Sequence, residues 1–194
     1  MNKNIVILIS GGGSNMAAIV QAAQKGHWRE RFGAQVAAVI SNKAEAGGLA
    51  WAREHHIPTA SFDHKAYPSR EDFDAALMEE IDRFAPVLVV LAGFMRILTP
   101  GFVAHYEGRL INIHPSLLPA FAGLQTHQRA IDAGCRFAGC TVHRVTAELD
   151  HGEYLDQAVV PVMPGDTAQT LAARVLTQEH LIYPRVVERL VATA

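Results

Sequence analysis

Very little in this chain of 194 residues suits an oxidising or membranous environment. It has only two cysteines, Cys135 and Cys140, and a disulfide-stapled secreted domain would carry more. Their C-x4-C spacing has no partner pair, so no zinc or other metal site is expected, and both read as reduced thiols near a strand. Long hydrophobic runs are also missing. The first, Ile5 to Ile9, meets glycines after five apolar residues, too short for a signal-peptide core. No run approaches the ~20 residues of a membrane helix. Neither charge sign is in excess: 17 Lys and Arg face 19 Asp and Glu, without the basic field that nucleic-acid binders use. No repeat, low-complexity tract or linker divides the chain. These absences predict one domain over residues 1–194 in a reducing compartment, most simply the cytoplasm, with neither nucleic acid nor membrane as partner. One small anionic substrate remains allowed, because a phosphate needs only a local site.

What is present is apolar residue in ordered bursts; 49% of the chain is hydrophobic, enough to bury a full core. Ile5–Ile9 is β-branched except for Leu8 and wholly apolar, the look of a strand buried on both faces. Residues 16–24 then read as a helix, 36–40 as a strand, 46–55 as a helix and 57–62 as a short strand. Ser69, with Asp72 three residues on, predicts a helix start, and Phe73, Ala76, Leu77, Ile81 and Phe84 form one stripe at helical spacing before Pro86 ends it. Residues 87–92, 110–113, 139–146 and 155–162 read as further strands. Residues 166–190 read as a long helix with Asp166 and Gln169 as its cap pair, which Pro184 should kink or split. The alternation implies an α/β fold: a doubly wound, mostly parallel, Rossmann-like sheet flanked by helices. Ligands in such sheets bind beyond the carboxyl ends of the strands.

Two places at those ends carry chemistry. Ser10-Gly-Gly-Gly-Ser-Asn15 joins the first strand to the first helix, where glycine lets backbone approach a ligand and the helix amides face an anion. Gly13, Ser14 and Asn15 therefore suit a phosphate; a plain strand-to-helix turn is the competing reading. The loop is neither a dinucleotide fingerprint, since Met16 stands where the third glycine belongs, nor a P-loop. The second place is Asn112 and His114, two apart on a strand and so on one face, with Pro115 ending the ladder. An Asn amide can hold a developing oxyanion and a His can carry a proton near neutrality, a pairing suited to an acyl carbon. Asp150, in Glu148-Leu-Asp-His-Gly152, follows the strand ending near Thr146. In a parallel sheet it would share the carboxyl edge and, beside His114, favour the imidazolium. Turn chemistry explains Asp150 equally well.

Together these segments resemble the folate-dependent glycinamide ribonucleotide formyltransferases over nearly the whole chain. The resemblance is carried by Ser10–Asn15, Ser41-Asn-Lys-Ala44, Val90-Leu-Ala-Gly-Phe-Met-Arg-Ile-Leu98, Asn112-Ile-His-Pro-Ser-Leu-Leu-Pro119, Thr141-Val-His143, Glu148-Leu-Asp150 and Thr177-Gln-Glu-His180. It implies transfer of a formyl group from 10-formyltetrahydrofolate to the amine of glycinamide ribonucleotide by a monomer or homodimer. It further implies that Gly13, Ser14 and Asn15 hold the substrate phosphate and that Glu179 contacts the ribonucleotide. Arg70 and Met95, Arg96, Ile97 and Leu98 would meet the folate. Asn112 would polarise the formyl oxygen, with His114 as proton donor and Asp150 as the carboxylate that raises its pKa. From residue type alone, Met95, Ile97 and Leu98 also fit a core beneath a loop, and Arg70 a solvated helix start. His143 matches the family and reads as structural.

Two departures stand out: Gln125-Thr-His127 where the family commonly has His-Thr-His, and His151-Gly-Glu-Tyr154 where it usually continues Gly-Gly-Pro after the aspartate. Among relatives in the same chemistry, methionyl-tRNA formyltransferases carry an extra domain and basic surface, for which this chain is too short and too neutral. Formyltetrahydrofolate deformylases carry an N-terminal regulatory domain, for which a first strand at residue 5 leaves no room. A dinucleotide oxidoreductase or a non-catalytic nucleotide-binding module would fit the glycine loop alone. It would require an acidic residue after the second strand, where Ser41-Asn-Lys stands, and would leave Asn112 and His114 unexplained.

Overall fold

A computed structural model describes residues 2–194. Seven strands form one sheet in the order β3-β2-β1-β4-β5-β6-β7. The strands are β1 (Lys3–Ile9), β2 (Ala34–Ser41), β3 (Thr59–Ser61), β4 (Pro86–Leu91), β5 (Leu110–His114), β6 (Phe137–Arg144) and β7 (Tyr154–Pro161). The first five pair in parallel. β6 and β7 run antiparallel, so the sheet is mixed at this edge. Its order reverses between β1 and β4, which opens the crevice that doubly wound folds use for ligands.

The helices are α1 (Ser14–Lys25), α2 (Trp28–Phe32), α3 (Gly47–Glu54), α4 (Arg70–Asp82), α5 (Pro100–His105), α6 (Thr126–Asp132) and α7 (Ala168–Thr193). The short helices α2, α5 and α6 hold too few turns to leave a periodic signature, and the sequence reading missed them. The sheet buries both faces, as its unbroken apolar strands require. One face packs Ile5, Ile7, Val90 and Ile111 against α1, α3 and α7; the other packs Val6, Leu8, Val89 and Leu110 against α4 and α5. Among the described residues no helix is long and apolar enough to cross a membrane.

Ser69 caps α4 as expected, accepting from the Asp72 amide at 3.1 Å and donating to its carboxylate at 2.6 Å. The start of α7 differs from expectation. Thr167 is its cap, in a reciprocal box with Thr170, while Asp166 is drawn away by Arg174 at 2.7 Å. A bidentate guanidinium outcompetes a single backbone amide for that carboxylate. Pro184 does not end α7 either. An interior proline costs ~3 kcal/mol. The buried stripe Leu171, Val175, Ile182, Val186, Val187 and Val191 contributes ~1.5–3 kcal/mol per side chain, and the helix persists.

Candidate active site

The glycine loop follows β1 at the switch point. Gly13 takes φ +71° and caps α1 without a side chain, the left-handed conformation that suits glycine. A Cβ there would also lie 2.8 Å from the Met16 methyl and 3.2 Å from the Gly48 backbone. Gly48 in turn donates its amide to the Gly11 carbonyl at 3.0 Å. The loop therefore rests on the start of α3, a support that the Gly47–Gly48 pair marks in the sequence and that the reading of the chain overlooked. Ser14 is exposed, and Asn15 is buried. Asn15 does not offer its amide outward: Nδ2 donates to Glu179 Oε2 at 2.7 Å. Burial raises the Glu179 pKa above the usual carboxylate value, opposed by the Asn15 hydrogen bond and the charge of His114. Glu179, from α7, thus closes one side of the same crevice.

A buried hydroxyl ties this loop to the next one. Ser10 Oγ accepts from the Met95 amide at 2.7 Å and donates to Asn42 Oδ1 at 2.5 Å. The segment after β4 is thereby fixed beside the loop after β1. Met95 and Ile97 are 70% and 63% exposed, so they are not core beneath a loop; they present an apolar rim. Leu98 packs partly against the α4–α5 core. The Arg96 guanidinium lies 5.8 Å from the Phe73 ring centroid, and its buried Nε has no partner within the chain. Arg70 is exposed at the first position of α4.

At the end of β5, His114 is buried between two acceptors. Its Nδ1 lies 3.4 Å from Asp150 Oδ1 and its Nε2 3.1 Å from the Phe121 carbonyl. A ring carrying both protons satisfies both. Asp150 is itself held, its Oδ2 accepting from the Gly123 amide at 2.8 Å. The sequence reading expected Asp150 near His114 because a parallel strand would end there. The pair does form, by another route. β6 is antiparallel, pairing Thr141 with His114 and Arg144 with Ile111. The loop after β6 therefore leaves at the far end of β5 and folds back across the sheet to bring Asp150 to the histidine. The return needs Asp150 at φ +50° and Gly152 at φ +128°, where a Cβ would collide with the Arg144 carbonyl.

Asn112 sits opposite His143 in the β5–β6 ladder. His143 Nδ1 lies 2.9 Å from the Arg144 carbonyl, which fixes the proton on that nitrogen, and leaves Nε2 as acceptor for Asn112 Nδ2 at 3.4 Å. Burial lowers the His143 pKa, with Asp150 and the Arg144 carbonyl pulling the other way, so the ring is neutral near pH 7. The amide of Asn112 is thus oriented with its nitrogen toward His143. The histidine read as structural lies against a candidate catalytic side chain. Gln125 is exposed at the start of α6, and His127 lines a cavity of about 110 Å³ beneath residues 115–127, its Nε2 buried without a partner. Among the described residues no three His, Cys, Asp or Glu side chains converge as metal ligands do.

A Rossmann-like sheet with a glycine loop at its switch point and an Asn–His–Asp set at the end of β5 fits a group-transfer enzyme of the α/β class. The chain belongs to the formyl transferase family, whose model matches residues 3–187. It is 53% identical to the phosphoribosylglycinamide formyltransferase of Escherichia coli K12 over 184 residues, 95% of this chain and 85% of that protein. Its fold superposes on the phosphoribosylglycinamide formyltransferase of Coxiella burnetii with a TM-score of 0.92 at 48% identity, covering 100% of this chain and 89% of that one. For the Brucella melitensis enzyme of the same name the TM-score is 0.91 at 52% identity, covering 99% and 97%.

Proposed function

We propose that this chain transfers the formyl group of 10-formyltetrahydrofolate to the amine of glycinamide ribonucleotide, a step of purine biosynthesis, in the cytoplasm, as a monomer or homodimer acting on small molecules alone. The observation that carries the mechanism is the 3.4 Å contact between the buried side chains of Asp150 and of His114, which shares its strand with Asn112. Its similarity to phosphoribosylglycinamide formyltransferases favours this acceptor over a tRNA or water.

In the reaction the neutral amine attacks the formyl carbon. A C–N bond forms to the glycinamide nitrogen, and the carbonyl electrons move onto oxygen. Asn112 and protonated His114 stabilise that oxyanion as donors already fixed in place before the charge develops. The tetrahedral centre collapses, the bond to folate N10 breaks, and the proton lost by the amine passes to N10 by way of His114 and Asp150, directly or through water. Asp150 holds the imidazole in place and balances its charge. Gly13, Ser14 and Asn15 receive the phosphate at the α1 N-terminus, and Glu179 faces the ribonucleotide. Arg70, Arg96 and the Met95–Leu98 rim receive the folate.

The test is direct. Pure protein with glycinamide ribonucleotide and 10-formyltetrahydrofolate should release tetrahydrofolate in step with formylated product. Release of free formate without glycinamide ribonucleotide, or no turnover with it, would reject the proposal.

A further inference from the structure

The core beneath the site contains one hydroxyl that packing does not require. Tyr183 is fully buried on α7, along a stripe whose other members are aliphatic apart from Glu179 and Pro184. Its ring alone would fill the space as Phe does. A buried hydroxyl costs free energy unless it is hydrogen-bonded, so its presence asks what it holds. It donates to the Leu91 carbonyl at 2.7 Å and lies 3.3 Å from the Ile111 carbonyl. Leu91 and Asn112 are the last registered pair between β4 and β5. The hydroxyl therefore sits on the final rung, on the peptide unit that leads into Asn112 and the one that leads into the loop after β4. One helical turn earlier on α7, Glu179 bonds Asn15 of the glycine loop at 2.7 Å. Burial keeps the phenol protonated well beyond neutral pH, so it stays a donor.

We infer that Tyr183 is a positioning residue for formyl transfer: its hydroxyl sets the register of α7 against the ends of β4 and β5, and so fixes the Glu179–Asn15 side of the crevice relative to Asn112 and His114. This rests on the function proposed above, in which Glu179 and Asn15 face the acceptor and Asn112 and His114 the formyl group. An error in that register displaces the attacking amine from the formyl carbon, and small displacements of reacting groups are expensive in rate.

The experiment compares wild type, Tyr183→Phe, Glu179→Gln and the double variant, measuring kcat, both KM values and the thermal midpoint. A lost hydrogen bond of ~1 kcal/mol corresponds to roughly fivefold in rate, and Tyr183→Phe should lower kcat by about five- to tenfold with each KM within about twofold. In the Glu179→Gln background the further loss from Tyr183→Phe should shrink, since both act through one register. A lower thermal midpoint with unchanged kcat would overturn the inference, as would kcat losses that simply multiply in the double variant. Absence of turnover in wild type would instead reject the proposed function, so the two failures are told apart.

Discussion

The two halves of the sheet build their share of the site by different means. In the parallel half, β1, β2 and β4 end side by side at the switch point, and their loops arrive at the crevice because the topology delivers them there. The proposed recognition surface is mostly backbone: a left-handed Gly13, an α1 N-terminus, and a segment after β4 pinned by Ser10. In the antiparallel half, β5 to β7 assemble side chains. His114 and Asn112 from one strand meet His143 from the next and Asp150 from a loop that must double back to reach them. Parallel topology can place an anion site with glycine alone. Placing a carboxylate beside a particular imidazole took an antiparallel hairpin and two residues with positive φ.

If the halves differ in this way, damage to them should differ in kind. The largest effect is expected at His114. His114→Ala should lower kcat by roughly 10²–10⁴-fold, the range for a positioned proton donor, and lower the thermal midpoint as well, because Asp150 and the Phe121 carbonyl lose their buried partner. An unimpaired kcat in the folded variant would take the chemistry away from the antiparallel half. Gly13→Ala should act through backbone geometry. Forcing an L side chain into the left-handed region costs ~1–2 kcal/mol, and its methyl would press on Met16. The expected signature is a raised KM for the ribonucleotide and a lower thermal midpoint, with kcat changed less than at His114. A kcat loss as large as that of His114→Ala would erase the contrast.

The smallest expected effect is a pH dependence of stability. Burial lowers the pKa of His127, His143 and His180 below the ordinary imidazole value of 6.5. A group whose folded pKa is depressed contributes stability above its unfolded pKa, lost as pH falls through the folded one. Chemical denaturation at pH 7 and at successively lower pH should therefore show stability declining below about 6.5, the unfolded imidazole value. Because the most buried of the three, His143, lies in the antiparallel half, His143→Gln should flatten part of that decline. An unaltered slope would place the acid sensitivity elsewhere.

Much of this was open to reading before any coordinates. The runs at 5–9 and 87–92 read as buried strands, and the stripe from Phe73 to Ile81 with Ser69 ahead of it as a capped amphipathic helix, and the structure has both. Asn112 and His114 were legible as a pair because strand geometry is local: residues two apart share a face. Some features were not legible for equally physical reasons. Asp166 chose Arg174 over its own helix start through an interaction eight residues away. Met95 and Ile97, apolar and on either side of Arg96, carry no mark that says exposed. The direction of β6 was misread, since an apolar strand looks the same run either way.

By itself, then, the amino-acid order determined which stretches extend, which coil, where glycine frees the backbone and which polar side chains end up on a common strand face, because these follow from periodicity and from the φ each residue tolerates. Only the folded chain decided that Asp150 meets His114, that His143 turns the amide of Asn112, and that Tyr183 ties α7 to the ends of two strands. Those contacts join residues far apart in the chain, and their distances depend on how layers pack and on which way one edge strand runs, quantities to which no single stretch of sequence is sensitive.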